Sequence, residues 1–233
     1  MANKSTLINL ESWNRNAEFW DKELGNGNDI FSDLILPTIE ELADIKYDER
    51  VLDLGTGNGI VARHLIRTNI KVLATDYSEE QIKNTRRRID EFDIVTASIL
   101  LKELRDISLL AEFLPKIMKP TGRVIMANLH PYFHKPAAHR VIEVIQPYIK
   151  VSEYLNIGPV QSQALRGQPE PLIWFHRPIH ELLNPFFKAG LALNDVREPS
   201  FQSSPNMNQY QSYHNFPQIP IQFVFRLVRR FRQ

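Results

Sequence analysis

The sequence of 233 residues contains no cysteine. This absence excludes disulfide bonds, thiolate metal sites and a cysteine nucleophile. A chain of this length is long enough to bury a core that needs no cross-links, and its apolar fraction of 43% is ordinary for a globular protein. The sequence also lacks any run of about 18 apolar residues, so no transmembrane helix is predicted.

Neither sign of charge is in excess, since the formal net charge is +1. Nothing in this balance indicates a nucleic-acid or membrane partner. The basic segment 226–232 alternates like a strand, which favours a solvated strand end over a nucleic-acid patch. Residues 1–20 lack the continuous apolar stretch of a signal peptide. We therefore expect a cytoplasmic protein, with the oligomeric state left open.

Glycine is scarce, but three of the nine glycines stand on alternate positions in the segment Gly55-Thr56-Gly57-Asn58-Gly59. The segment follows a short apolar run, typical of a strand buried on both faces of a parallel sheet, and precedes a helical pattern. Alternate glycines let the backbone turn sharply and approach a ligand closely. The adjacent helix N-terminus offers N–H groups to a carboxylate or a phosphate.

Strand and helix patterns alternate along the chain, which predicts an α/β fold with a mostly parallel sheet and right-handed crossovers. Strand patterns cover residues 50–54, 71–76, 92–97, 123–127, 191–196 and 219–228. Helix patterns cover residues 60–66, 79–88, 100–118 and 178–189, with Ser78 as an N-cap and Gly190 as a C-cap.

Two segments do not follow this alternation of strands and helices. Residues 1–48 carry helical spacing only and predict an N-terminal helical cap on a main domain of residues 49–233. Within that domain, the interval of about 130–178 is irregular and rich in proline. We expect it to form an insertion or lid over the carboxyl edge of the sheet.

The choice of cofactor depends on two carboxylates. Asp76 ends the second strand, where an acid can bind both hydroxyls of a ribose. Nicotinamide dinucleotides prefer the spacing G-x-G-x-x-G, whereas this loop has G-x-G-x-G with Asp53 two residues before its first glycine. A carboxylate at Asp53 repels a pyrophosphate but suits the ammonium group of S-adenosylmethionine.

The segment 53–59 resembles motif I of the class I S-adenosylmethionine-dependent methyltransferases. Residues 92–95 resemble the fourth strand of that fold, and residues 114–123 resemble the segment that leads into its fifth strand. Further segments resemble a bacterial subgroup of small-molecule methyltransferases: 13–14, 20–21, 128–131, 174–178 and 198–201. The resemblance covers about residues 10–228. It implies a Rossmann-like, seven-stranded sheet whose last strand is antiparallel.

The same resemblance implies a set of cofactor-binding residues. The amino-acid end of the cofactor is expected among Asp53, Gly55, Thr56, Gly57 and Gly59. Asp76 is expected at the ribose and Tyr77 beside the adenine. Residues 96–99, among them Ala97, are expected near the methyl group.

The interval between Asp76 and Asp93 is too short for this family. It has room for one crossover helix, but not for the third strand and the adenine-binding acid that the fold normally carries there. Either the sheet lacks this edge strand, or a segment of the natural chain is missing between Arg87 and Phe92. We favour the second explanation, and the adenine-binding acid stays unassigned.

Two histidines are candidates for a general base toward the acceptor. His130 follows the fifth strand directly, and His176 lies beside Arg177 at the end of the lid; the alternative for both is a structural role. Arg177 is expected to bind a carboxylate of the acceptor or to pair with Glu198. A metal site is not expected, because His130 and His134 lack a third ligand. Four aromatic residues form either a wall for a planar acceptor or ordinary core, namely Trp13, Trp20, Tyr132 and Trp174.

Together these features predict an enzyme that transfers a methyl group from S-adenosylmethionine to a small-molecule acceptor, at oxygen or nitrogen. Two alternatives stay open at this point. One is a catalytically inactive protein that binds S-adenosylmethionine. The other, which the glycine spacing disfavours, is an NAD(P)-dependent oxidoreductase.

Overall fold

A six-stranded sheet forms the centre of the molecule in the computed structural model, which describes residues 4–66, 70–76, 91–141, 148–202 and 212–230. Its strands are β1 (Arg50–Leu54), β2 (Lys71–Thr75), β3 (Phe92–Ser98), β4 (Met118–Leu129), β9 (Leu191–Arg197) and β10 (Gln222–Arg229). The order across the sheet is β2-β1-β3-β4-β10-β9. The first four strands are parallel, and β10 runs antiparallel to both of its neighbours. The predicted α/β architecture with an antiparallel last strand is confirmed.

Helices lie on both faces of this sheet. They are α1 (Lys4–Leu24), a π-helix (Ile30–Ile35), α2 (Leu36–Ala43), α3 (Ile60–Ile66), α4 (Ser108–Ile117) and α5 (Ile179–Lys188), with short 3-10 turns at Leu101–Glu103 and Tyr213–Asn215. Pro37 stands at the start of α2, where a proline needs no N–H partner. The helix expected over residues 100–118 is shorter than predicted, because a 3-10 turn and a loop precede α4.

Two hydrophobic layers hold the helices to the sheet. On one face, α4 and α5 pack through Leu114 and Phe186 against Val95, Met126 and Phe225. On the other face, α2 and α3 contact a separate layer, which includes Ile39, Leu65, Val51, Ile94 and Val224. β1, β3 and β4 are therefore covered on both sides, as their near-continuous apolar runs predict.

The strand β2 is less buried than the sequence predicts. Leu73 is 44% exposed, and only Thr75 of this strand is buried. The physical reason is its position, because β2 is the edge of the sheet within the described residues. The third strand of the family fold is likewise not found among those residues. The helix predicted over 79–88 and most of the proposed gap between Arg87 and Phe92 lie outside the described residues.

The turn predicted at residues 120–122 is built into β4 as an irregularity. Met118 pairs with Phe92, whereas Arg123 pairs with Ile94, so three extra residues bulge out of β4 at this point. A Cβ on Gly122 would lie 3.0 Å from two backbone carbonyl oxygens, which explains why this position is glycine. After the bulge β4 continues regularly to the carboxyl edge of the sheet.

The interval expected to form a lid folds as two small hairpins. β5 (Ala138–Val141) pairs with β6 (Tyr148–Val151), and β7 (Val160–Ser162) pairs with β8 (Leu172–Trp174). The helix α1 packs against β8. The backbone N–H of Phe175, just after β8, donates to the carbonyl of Lys102 (2.8 Å). The second hairpin is thus attached to the loop that follows β3.

Candidate active site

The glycine loop between β1 and α3 has a backbone that only glycine adopts easily. Gly55, Gly57 and Gly59 have φ values of +66°, +54° and +79°. The N–H of Thr56 donates to the carbonyl of Thr75 (3.0 Å), which ties the loop to the end of β2. The positive φ at every second residue of the loop explains why glycines alternate in this part of the sequence.

Two of these glycines differ in what surrounds them. A Cβ on Gly55 would lie 2.9 Å from Cδ1 of Leu100 in the segment after β3, so a larger residue there would have to displace this side chain. A Cβ on Gly57 would meet nothing within 4 Å. The space above Gly57 is therefore open on the exposed side of the loop, where a ligand has room to approach the backbone.

Asp76 lies beside this open space at the carboxyl end of β2. Its Oδ2 accepts a hydrogen bond from the N–H of Gly57 (2.7 Å), and the residue is exposed. The carboxylate predicted to bind a ribose is thus next to the loop. Tyr77, the neighbour predicted to lie beside an adenine, is outside the described residues.

Asp53 lies beneath the loop and is only 1% exposed. Its Oδ1 accepts a hydrogen bond from the hydroxyl of Thr96 on β3 (2.7 Å), while its Oδ2 is buried without a partner among the described residues. Burial raises the pKa of Asp53 to about 6, although the hydroxyls of Thr96 and Thr56 and the backbone N–H of Ala62 act in the opposite direction. The sheet thus holds an acid under the glycines with one oxygen that lacks a hydrogen-bond donor.

The end of β3 brings a second backbone irregularity to the same edge. Ile99 has a φ of +56°, which is unusual for a β-branched residue, and its N–H donates to the carbonyl of Ala127 (2.7 Å). Ala97 is 1% exposed and belongs to the core, so its side chain has little surface for a ligand. Ser98 and Ile99 are the more accessible residues at this point.

A small cavity of about 50 Å³ lies over the carboxyl ends of β3 and β4, one strand away from the glycine loop. Its walls come from the segment after β3, the end of β4 with the turn that follows, and the segment between β8 and α5. Its lining includes Lys102, Asn128, His130, His134, Trp174 and His176. This is the edge of an open α/β sheet at which reacting ligands bind.

His130 lines the cavity but is engaged at both ring nitrogens. Its Nδ1 accepts a hydrogen bond from the N–H of Tyr132 (3.1 Å), so its Nε2 carries the proton and donates to Glu198 (2.7 Å). No lone pair is left to accept a proton from an acceptor. We therefore correct the expectation of a base at this position: His130 joins the end of β4 to the residue after β9.

His176 keeps one nitrogen available. Its Nε2 lies 2.7 Å from the carbonyl oxygen of Tyr154, so this nitrogen donates and the lone pair is on Nδ1. Burial lowers the pKa of His176, which favours the neutral form of the ring. Of the two histidines predicted as bases, His176 is the one whose bonding is compatible with that role.

The two terminal nitrogens of the Arg177 guanidinium bind the backbone of the protein. They donate to the carbonyl oxygens of four residues, namely Leu101, Leu104, Arg105 and Phe175. The expected pairing of Arg177 with Glu198 is therefore wrong, since Glu198 pairs with His130 instead (2.7 Å). Binding of an acceptor carboxylate by Arg177 stays a prediction. The guanidinium fixes the segment after β8 against the loop after β3.

The aromatic residues predicted as a wall divide into separate groups. Trp13 and Trp20 contact each other (ring centroids 5.0 Å apart), and Tyr132 stacks on Tyr154 (4.0 Å). Of the four aromatic residues predicted as a wall, only Trp174 lines the cavity. Across the described parts of the chain, no group of three or more His, Asp or Glu side chains forms a candidate metal site.

A family model described as a methyltransferase domain matches residues 29–186, which is more than half of the chain. The chain belongs to this methyltransferase family. The match contains the glycine loop, Asp53, Asp76 and most of the residues around the cavity. The resemblance stated from motif I is thereby confirmed.

Solved structures with this fold come from several methyltransferases. An S-adenosylmethionine-dependent methyltransferase from Mesorhizobium loti is 19% identical with a TM-score of 0.64, and the match covers 88% of this chain and 99% of that one. The CcbJ methyltransferase from Streptomyces caelestis is 14% identical with a TM-score of 0.59, and the match covers 99% and 100%. At these identities the likeness shows the fold alone.

Curated relatives match this methyltransferase over a shorter part of its chain than the solved structures do. A demethylmenaquinone methyltransferase from Clavibacter sepedonicus is 24% identical over an alignment of 139 positions, gaps included, and the match covers 46% of this chain and 57% of that protein. A ubiquinone biosynthesis O-methyltransferase from Proteus mirabilis is 25% identical, over 42% of this chain and 49% of that protein. The chain thus spans about half the length of the curated relatives it matches.

Sequence reasoning missed two residues of the methyltransferase cavity, Lys102 and Asn128. Lys102 lies in the 3-10 turn after β3, and Asn128 is the penultimate residue of β4. Their positions in the sequence could have indicated both residues, because Lys102 follows β3 and Asn128 lies near the end of β4, at the carboxyl edge of the sheet. The amide of Asn128 and the charge of Lys102 carry no spacing that distinguishes them from surface residues.

No helix in the described ranges is long and apolar enough to cross a membrane.

Proposed function

We propose that this methyltransferase binds S-adenosylmethionine at the glycine loop and transfers its methyl group to a small-molecule acceptor, at oxygen or nitrogen. One observation carries the proposal: three left-handed glycines leave open space above Gly57, beside the exposed carboxylate of Asp76, while the carboxylate of Asp53 is buried beneath the same loop. Exposed backbone N–H groups and carboxylates suit the amino-acid group and the ribose of this cofactor.

The residues fit the cofactor in both charge and shape. Asp53, Gly55, Thr56, Gly57 and Gly59 are proposed to surround its aminocarboxypropyl group, in which the ammonium relieves the unpaired Asp53 oxygen. Asp76 is proposed to accept hydrogen bonds from the ribose hydroxyls, in place of its present bond from Gly57. A pyrophosphate in this space would meet two carboxylates, which disfavours a nicotinamide dinucleotide.

S-adenosylmethionine supplies, when bound, a methyl group already activated by a sulfonium. The protein must therefore mainly position the acceptor and exclude water. The cavity over β3 and β4 is proposed as the acceptor site, because it borders the strand next to the glycine loop. Where the acceptor must lose a proton, the Nδ1 of His176 is proposed to take it.

The proposed organisation of the chain follows from these sites. Residues 1–48 are proposed as a helical cap on a methyltransferase domain of residues 49–233, and about 130–178 as a lid. The attachment of β8 and Arg177 to the loop after β3 supports the lid, since this segment supplies one wall of the cavity. The relatives named for quinone-related methylation support a small-molecule acceptor.

The binding of S-adenosylhomocysteine, measured by calorimetry, tests the proposal. Asp76→Ala removes a charge-assisted contact to the ribose and is expected to weaken binding by about 1.5–3 kcal/mol. Gly57→Ala is expected to weaken binding at least about tenfold, because its methyl group occupies the open space.

Gly190→Ala is the matched control for Gly57→Ala. Gly190 has a φ of +85°, and its Cβ would likewise meet nothing within 4 Å, so the backbone strain is comparable at a site far from the loop. This variant is expected to bind S-adenosylhomocysteine like the wild type. Unchanged affinity in both Asp76→Ala and Gly57→Ala would contradict the proposed cofactor site.

A further inference from the structure

Lys102 places an ammonium group in the cavity wall with little to bind. Its side chain is 18% exposed, and its Nζ lies 3.4 Å from the ring centroid of Trp174. The nearest carboxylate oxygen, Oε1 of Glu103, is 3.9 Å away, and the other oxygen of Glu103 accepts from Trp13 (3.2 Å). Among the described residues, no oxygen or nitrogen accepts a hydrogen bond from this Nζ, so its three N–H donors are unused.

Asn128 presents an unused amide to the same cavity. It is 6% exposed, and both its Oδ1 and its Nδ2 are buried without a partner in the described part of the chain. An unsatisfied buried amide is costly, and such groups in native proteins usually meet a ligand or water. Asn128 therefore offers a hydrogen-bond donor close to the end of β4, across the cavity wall from the loop that carries Lys102.

The described residues that line the cavity include three cations and no acid, although the carboxylate of Glu103 forms a long ion pair with Lys102 (3.9 Å). These cations are Lys102, Lys135 and Arg177. Burial lowers the pKa of Lys102 to about 8, and the carboxylate of Glu103 only partly opposes this effect. Burial and then the charge of Lys102 also lower the pKa of His134, which places both groups in one positive field. An anion bound here would relieve the cost of burying the ammonium.

We infer that the cavity binds a carboxylate group of the methyl acceptor, held by the ammonium of Lys102 and the amide N–H of Asn128. This inference rests on the proposed function in one respect, namely that the cavity is the acceptor site. Two donors of different kinds suit the two oxygens of a carboxylate. The Arg177 guanidinium, which binds four backbone carbonyls, acts by holding the wall in place.

Paired probes test this inference without knowledge of the natural acceptor. Benzoate and benzamide, and the smaller pair acetate and acetamide, are titrated by NMR into the protein, with and without S-adenosylhomocysteine. Each acid is expected to bind at least about tenfold more tightly than its neutral amide. Lys102→Met keeps the apolar stem against Trp174 and is expected to remove this preference. Asn128→Asp places a negative charge next to the carboxylate of benzoate and is expected to weaken benzoate binding about tenfold or more.

Lys116→Met is the matched control, because Lys116 is an exposed lysine on α4 that does not line the cavity. It is expected to leave the preference for benzoate within about twofold of the wild type. The inference is overturned if neither acid binds more tightly than its amide, or if Lys102→Met retains the wild-type preference with a folded circular-dichroism spectrum. Failure of S-adenosylhomocysteine to bind, with selective benzoate binding intact, would count against the proposed cofactor site alone.

Discussion

Asp53 is a carboxylate whose charge is costly to the folded protein. It is buried under the glycine loop, receives one hydrogen bond from Thr96, and has an oxygen without a donor. Its pKa is raised to about 6 from an ordinary value of 3.8, chiefly by burial. Buried groups with perturbed pKa values are typical of functional sites, which is consistent with a role in binding a cation.

This shift has a defined sign for stability. Between pH 3.8 and about 6 the folded state binds more protons at Asp53 than the unfolded state does, so its contribution to stability falls as the pH rises through this window. Asp53→Asn removes the titration. The variant is therefore expected to gain about 2 kcal/mol of unfolding free energy relative to the wild type on going from pH 4 to pH 8. Urea unfolding at both pH values measures the difference.

A surface carboxylate provides the comparison for this experiment. Asp21 is exposed on α1, and Asp21→Asn is expected to shift the unfolding free energy equally at the two pH values. A difference between Asp53→Asn and wild type that does not change from pH 4 to pH 8 would contradict the charged, buried state of Asp53. Asp53→Asn is also expected to bind S-adenosylhomocysteine more weakly than the wild type.

At the scale of elements, α1 is joined to the β7–β8 hairpin and the segment before β8 by two buried asparagines. The amide of Asn9 donates to the carbonyl of Ile173 (2.9 Å) and accepts from its N–H (2.8 Å). Asn16 makes the same pair of bonds to Glu170 (2.9 Å each). The two asparagines are seven positions apart, which is about two helical turns, so they share one face of the helix. Their amides thus satisfy the open edge of the β7–β8 hairpin, as a neighbouring strand would.

Asn16→Leu tests this attachment with nearly the same side-chain volume. The substitution leaves the N–H of Glu170 without its protein partner, whereas the Glu170 carbonyl still accepts from Nε2 of Gln168 (2.6 Å). The loss is expected to cost about 1–3 kcal/mol of unfolding free energy. Asn14→Leu, on the exposed side of α1, is expected to change stability by no more than about 0.5 kcal/mol. Denaturant unfolding compares the two, and hydrogen exchange at residues 170–173 locates the effect. Equal stability of the two variants would mean that α1 and the hairpin are held by other contacts.

The elements that sequence predicts well are those with a local pattern. The continuous apolar runs of β1 and β3, the start of α2 at Pro37 and the glycines of the loop follow from residue type and spacing alone. The exposure of β2 did not follow, because burial depends on whether another strand lies beside it. The asparagines of α1 were missed because their partners lie more than 150 residues away. His130 could be placed at the sheet edge from its position after β4, but its bonding to Glu198 depends on how β9 is paired.

At the scale of the whole molecule, the fold gathers histidines from separate segments around one cavity. His130 and His134 follow β4, whereas His176 follows β8, and all three line the cavity. Burial is the main cause that lowers the pKa of each ring. The positive charges of Lys102, Arg140 and Lys135 lower the pKa of His134 further. The proposed acceptor site is therefore lined by three imidazoles whose lowered pKa values favour the neutral form in the folded protein.

Acid is expected to destabilise the protein through this set. The unfolded chain takes up protons on these rings at a pKa near 6.5, while the folded protein does so only at lower pH, so their contribution to stability is lost as the pH falls below about 6.5. The pKa of His134 is lowered to about 3. His134→Gln is therefore expected to reduce the loss of unfolding free energy between pH 7.5 and 5.5 by about 1 kcal/mol. His139→Gln, at an exposed position on β5, is the control and is expected to leave that loss unchanged. Urea unfolding across this pH range decides the matter, since a His134→Gln protein that loses as much stability as the wild type would show that His134 is protonated in the folded state.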